Sequence, residues 1–139
     1  MNVSNHFLVL FFSFVISQCS AVNEKEITLL KGYWEIEYVQ AHGEKFQPRG
    51  NAPAVDYYFL TSDSTGVKKK LSPRIVGFYE TSENQVSFRV EHDNGHFYLH
   101  FTTPLEEWKE EIKDISNDQL VLFHNEMEYH YKRHEKIAL

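Results

Sequence analysis

Between residues 33 and 40 apolar and polar positions alternate. Trp34, Ile36 and Tyr38 share one face and Glu35 and Glu37 the other, the period of a half-buried strand. The alternation recurs down the chain. Residues 55–60 place Val55, Tyr57 and Phe59 on one side; after a turn at Asp63-Ser64-Thr65-Gly66, residues 67–71 return with their lysines partly toward water. Residues 75–81 form a further short strand beyond Pro73, and residues 82–85 turn again. Residues 41–54, holding Gly43, Pro48, Gly50 and Pro53, read as the longest loop, crossing one mouth of whatever the strands close.

Asn94-Gly95 sets the register of the next hairpin. A two-residue type I′ turn there needs positive φ, which Asn and Gly tolerate, and it places Val90 opposite Leu99, Phe88 opposite Phe101, Arg89 opposite His100 and Glu91 opposite Tyr98. Apolar meets apolar, and a slip of one residue would mismatch every pair. Residues 103–106 are contested. Thr103, Pro104 and Glu106 are helix-start signals, and Leu105, Trp108, Ile112 and Ile115 recur at helical spacing. The flanking hairpins favour a turn followed by a strand over residues 108–115, which also puts Glu110 on the face of Trp108 and Ile112. A closing hairpin about Asn125-Glu126 sets Leu122 against Tyr129 and Leu120 against Tyr131.

Eight or nine short strands with tight turns and no parallel crossovers predict an all-β fold, a small antiparallel up-and-down barrel, with a two-sheet β-sandwich as the alternative. The predicted inward set is Trp34, Ile36, Tyr38, Tyr57, Phe59, Phe88, Val90, Leu99, Phe101, Trp108, Ile112, Leu120, Leu122, Tyr129 and Tyr131. An eight-stranded barrel is just wide enough to fill with side chains or to hold one small ligand. Buried tyrosines each need a hydroxyl partner, which a pocket would supply. The candidate pocket residues are therefore Tyr38, Tyr57, Phe59, Phe88, Phe101, Trp108, Glu110 and Tyr129.

The first residues carry a different pattern. Residues 7–16 are apolar apart from Ser13, too short to span a bilayer core, and are followed by small and polar residues, as in the hydrophobic region of a signal peptide. The single cysteine, Cys19, follows Val15-Ile16-Ser17-Gln18. This order resembles the lipobox of bacterial lipoproteins, in which the cysteine becomes the first mature residue and carries lipid; cleavage near Ala21, with Cys19 discarded, is the alternative. An intrachain disulfide is excluded, since there is no second cysteine. Four segments result: a signal peptide over residues 1–19, a tether over 20–28, the barrel over 29–134 and a tail over 135–139.

Charge and chemistry narrow the function. The 139 residues hold 14 basic and 20 acidic side chains, a net charge of −6 that gives no electrostatic case for a nucleic-acid partner. Six of the eight histidines fall in two groups, His92/His96/His100 and His124/His130/His134, but residues four apart on a strand are separated by ~13 Å, too far for two ligands of one metal. No nucleophile–base arrangement or phosphate-cradling glycine loop is visible. The sequence therefore calls for no enzyme, cofactor or metal.

Leu29-x-x-Gly32-x-Trp34 at the first strand, the Leu120-Val121-Leu122 strand and the terminal Tyr129-x-Tyr131-x-Arg133 together resemble the small lipocalin-like domains of bacterial lipoproteins. The resemblance covers residues 29–133. It implies that Trp34 closes one end of the barrel, with Arg133 from the last strand against its ring, and that any pocket opens at the opposite mouth. It also implies a binder of a small hydrophobic ligand in the bacterial cell envelope, membrane-anchored through lipid or else secreted or periplasmic. The competing expectation is a packed barrel acting as a structural or protein-interaction module.

Overall fold

The computed structural model describes residues 21–49, 55–73 and 79–134. Cys19 and the signal-peptide region lie outside the described residues, as do the tail over 135–139 and the ends of two expected elements, at 50–54 and 74–78.

A short helix, α1 (Glu24–Ile27), runs into a 3-10 turn (Thr28–Leu30) and then, among the described residues, into nine strands: β1 (Gly32–Ala41), β2 (Glu44–Phe46), β3 (Val55–Leu60), β4 (Thr65–Pro73), β5 (Tyr79–Asp93), β6 (His96–Thr102), β7 (Glu107–Ile115), β8 (Gln119–His124) and β9 (Met127–Arg133). Every pairing is antiparallel and each strand from β3 onward pairs with the next. β1 pairs with β3 through residues 32–35 and with β9 through residues 34–41, which closes eight strands into a barrel. β2 is an extra short strand folded back on the far end of β1.

The hairpin at Asn94-Gly95 has the expected register, Val90 against Leu99 and Phe88 against Phe101, with positive φ at both turn residues. Asn125 and Glu126 turn the closing hairpin in the same way, with Leu122 against Tyr129. At the contested segment the helix-start residues serve a turn instead. The Thr103 hydroxyl accepts the backbone N–H groups of Leu105 and Glu106, and the Thr103 N–H donates to the Glu106 carbonyl at 2.9 Å. A side chain that caps a helix can equally cap a tight turn, and the strand pairing on either side decides between them.

Three expectations change. Residues 82–85 continue β5 rather than turning, since Ser82-Glu83-Asn84-Gln85 contains neither glycine nor proline. Residues 44–46, expected within a loop, form β2. The tether expected over residues 20–28 is structured in its second half: Asn23 and Glu26 form a reciprocal capping box, and Ile27 is buried in the core. Its charged residues had masked one inward aliphatic side chain.

The core lies toward one end of the barrel. Ile27 and Leu30 from the helical lead-in meet Trp34, Phe88, Phe97, Leu99, Phe101, Ile112, Ile115, Leu120 and Leu122, all almost fully buried. Gly66 makes room for this packing, because a Cβ there would sit 2.5 Å from the Phe88 ring and from the Phe59 carbonyl.

Candidate functional site

Register fixes which side chains enter the barrel. Tyr58 lies opposite Lys68 and Asp56 opposite Lys70. Tyr58 belongs to the core, so Asp56, Lys68 and Lys70 share its inward face, while Tyr57 and Phe59 point outward. Tyr57 stacks on Tyr33 outside the barrel with ring centroids 4.6 Å apart, and Phe59 is exposed under the Lys31 ammonium. The expectation of Tyr57 and Phe59 as pocket residues is thus corrected; their hydrophobicity suggested the face opposite to the one that pairing with β4 imposes. Tyr38 is also on the outside. A bulge between Ile36 and Tyr38 inserts one residue into β1, so Tyr38 pairs with outward-facing His130 and stacks on it at 4.2 Å.

Within the barrel, away from the packed end, lies a cavity of about 260 Å³ lined by Ile36, Asp56, Lys68, Lys70, Glu110, His124, Tyr129 and Tyr131. Lys68 Nζ is 3.2 Å from Asp56 Oδ2, with both side chains largely shielded from water. The same ammonium stands over the rings of Tyr58 and Phe101 at 5.3 and 5.5 Å. The Tyr131 hydroxyl donates to Asp56 Oδ2 at 3.4 Å. Across the barrel, the Trp108 indole Nε1 donates to Glu110 Oε1 at 3.0 Å. At the rim, His124 Nδ1 donates to the Lys109 carbonyl at 2.8 Å, which places the ring proton on that nitrogen.

These groups perturb one another. Burial pulls the Lys68 ammonium down, but Tyr131, Asp56 and Glu110 together outweigh it and hold the group above the ordinary lysine range. Burial pushes the Tyr58 hydroxyl well above its ordinary value, helped by Glu110 and Asp56, and burial does the same for Tyr131. Both phenols are neutral hydrogen-bonding groups at neutral pH. The Tyr58 hydroxyl is completely buried and has no hydrogen-bond partner among the described residues.

Of the pocket residues expected from sequence, Glu110 and Tyr129 line the cavity. Trp108 is inward and stacks on Phe101 at 4.9 Å, while Phe88 and Phe101 are buried in the core and do not line the cavity. Sequence reasoning missed Asp56, Lys68, Lys70 and His124. The available signal was the short turn at residues 61–64, whose hairpin register aligns Asp56 and Tyr58 with alternate lysines of Lys68-Lys69-Lys70.

The opposite end is sealed. Trp34 is fully buried, and its indole Nε1 donates to the Leu30 carbonyl at 2.8 Å. The Arg133 guanidinium lies 3.9 Å from the centre of the Trp34 ring. Its three nitrogens donate at 2.8 Å to the carbonyls of Leu29, Lys31 and Asn117, tying the last strand to the helical lead-in and to the turn before β8. Gly32, at φ +133°, permits this approach, because a Cβ there would fall 2.5 Å from Arg133 Nη1. A closed antiparallel barrel sealed by a Gly-x-Trp on its first strand and an arginine on its last decides the fold type.

The domain is a closed, eight-stranded, antiparallel up-and-down barrel. Two solved structures are similar to this barrel. One is a lipocalin-like protein from Bacteroides uniformis ATCC 8492, with 10% identity, 76% of this chain and 99% of that chain covered, and a TM-score of 0.49. The other is an uncharacterized protein from Bacteroides eggerthii DSM 20697, with 9% identity, the same coverage of 76% and 99%, and a TM-score of 0.48. No family model and no curated protein matches the sequence.

Proposed function

We propose that this chain is a small-ligand-binding protein of the bacterial cell envelope, exported and held at the membrane by lipid on Cys19, with its ligand inside the barrel. The observation that supports it most is the internal cavity of about 260 Å³ at the end away from the Trp34–Arg133 seal. Its size falls just below the ~300–1,000 Å³ usual for drug-sized ligands, which favours a small occupant. The apolar run over residues 7–16 followed by Cys19 supports export and anchoring.

The lining changes the expected ligand. A purely hydrophobic molecule would strip water from Lys70, Glu110 and His124 and return no hydrogen bonds, at a cost of ~1–3 kcal/mol for each polar group left unpaired and more for a charge. The reading becomes a small ligand with polar groups of its own, lying against Ile36 and the tyrosine rings.

Native mass spectrometry of gently purified protein tests this. A bound small molecule is expected in the wild type and absent from Ile36→Trp, which fills the cavity; identical ligand-free spectra for both would overturn it. For the anchor, intact-mass comparison of wild type with Cys19→Ser is expected to show a lipid increment lost with the cysteine. A difference equal to the substitution alone, with both proteins soluble, would remove the lipid.

A further inference from the structure

The two carboxylates and two ammonium groups of the cavity are not arranged as two ion pairs. Asp56 and Lys68 pair at 3.2 Å, whereas neither Glu110 nor Lys70 forms an ion pair among the described residues. In the closed strand order, β5 and β6 separate β4 from β7 on one side and four strands separate them on the other. Lys70 on β4 and Glu110 on β7 therefore occupy facing walls. They also differ in depth. Lys70 is exposed at the rim, while Glu110 is half-buried near Lys68 and raises that ammonium's proton affinity along with Asp56.

The deep part thus holds two carboxylates against one ammonium, and the rim holds an unpaired ammonium. A deep negative excess favours a cation there, and the rim favours an anion. Two further observations fit a cationic head in the deep part. Glu110 Oε1 takes the Trp108 N–H, leaving its second oxygen without a partner among the described residues. The Tyr58 hydroxyl, fully buried on the inward face of Asp56 and flanked electrostatically by Glu110 and Asp56, is an acceptor with nothing to accept. Tyr129 and Tyr131 add aromatic faces of the kind that attract ammonium groups.

Building on the binding role set out above, we infer that the cavity selects a small zwitterion, its ammonium group deep between Glu110 and Asp56 and its acid group at the rim on Lys70. Calorimetric titration of the purified protein with γ-aminobutyrate, butyrate, butylamine and butanol separates the contributions of the two charges, and ω-amino acids from glycine to ε-aminocaproate cover the span. The best ω-amino acid is expected to bind at least about tenfold more tightly than its acid-only and amine-only counterparts. Lys70→Met should reduce its affinity to that of the amine alone, and Glu110→Gln to that of the acid alone. Both variants are expected to keep the wild-type backbone amide spectrum at the sealed end.

Amide shifts localise the binding. If butyrate, butylamine or butanol matches the zwitterion while shifting Ile36, Lys70 and Tyr129, the cavity remains a binding site and the zwitterion is wrong. If no probe shifts those resonances, the binding reading falls as well.

Discussion

The two ends of this barrel solve opposite problems with similar residue types. At the sealed end a tryptophan, an arginine and four backbone carbonyls satisfy one another and leave nothing for a ligand. At the other end two lysines, two carboxylates, a histidine and two tyrosines line a cavity, with Trp108 bonded to the lining Glu110 and partners still wanting. What separates them is completeness. Where each donor finds an acceptor the residues form a closure, and where donors and acceptors remain the same chemistry becomes a candidate site.

The largest effect should come from breaking the seal. Trp34→Ala is expected to cost ~3–5 kcal/mol in urea unfolding, as for other large buried aromatics, and a loss under ~1 kcal/mol would show that the ring does not hold the end together. Lys68→Met should follow at ~3 kcal/mol, because it leaves the shielded Asp56 carboxylate without its cation. The double variant Asp56→Leu/Lys68→Met should recover most of that loss; failure to recover would mean the pair acts through packing rather than charge.

Gly32→Ala is expected to cost ~1–3 kcal/mol, since it combines positive φ with a Cβ against Arg133. Repeating it in an Arg133→Ala background should remove the steric share, so an unchanged penalty there would assign the whole effect to the backbone. At the cavity end, Tyr58→Phe deletes a hydroxyl without a partner and should leave stability unchanged or raise it by up to ~1 kcal/mol. A clear loss would reveal a bound water or ligand group on that oxygen.

The acid limb of stability should depend on the outer wall. Hydrogen bonds from Lys109, His100 and Arg89 push the Glu91 carboxyl from its ordinary 4.5 down to about 2. The unfolded chain protonates this group first, so its contribution is complete above pH 4.5 and is lost as pH falls toward 2. Glu91→Gln should flatten the pH dependence in that window, and an unchanged slope would show that the Glu91 network contributes nothing there.

The barrel was legible because alternation and Asn-Gly turn chemistry report directly on strands and register, as Val90–Leu99 and Leu122–Tyr129 show. The site was legible only where a polar residue sat between obvious inward neighbours, as Glu110 does between Trp108 and Ile112. It was hidden on β3, where the aromatic run Tyr57-Tyr58-Phe59 offers apolar residues to both faces and only pairing with β4 chooses between them. It was hidden again at Tyr38, because a one-residue bulge leaves no mark in composition yet reverses every side chain beyond it.

The two tryptophans, one at each end, allow a direct comparison. Hydrogen exchange of the two indole N–H groups, followed by nuclear magnetic resonance, should show the Trp34 proton exchanging only through global unfolding, being fully buried and bonded to Leu30. The Trp108 proton, half-buried and bonded to Glu110 beside the cavity, should exchange orders of magnitude faster. Equal protection of the two indoles would contradict a barrel that is sealed at one end and open to a ligand at the other.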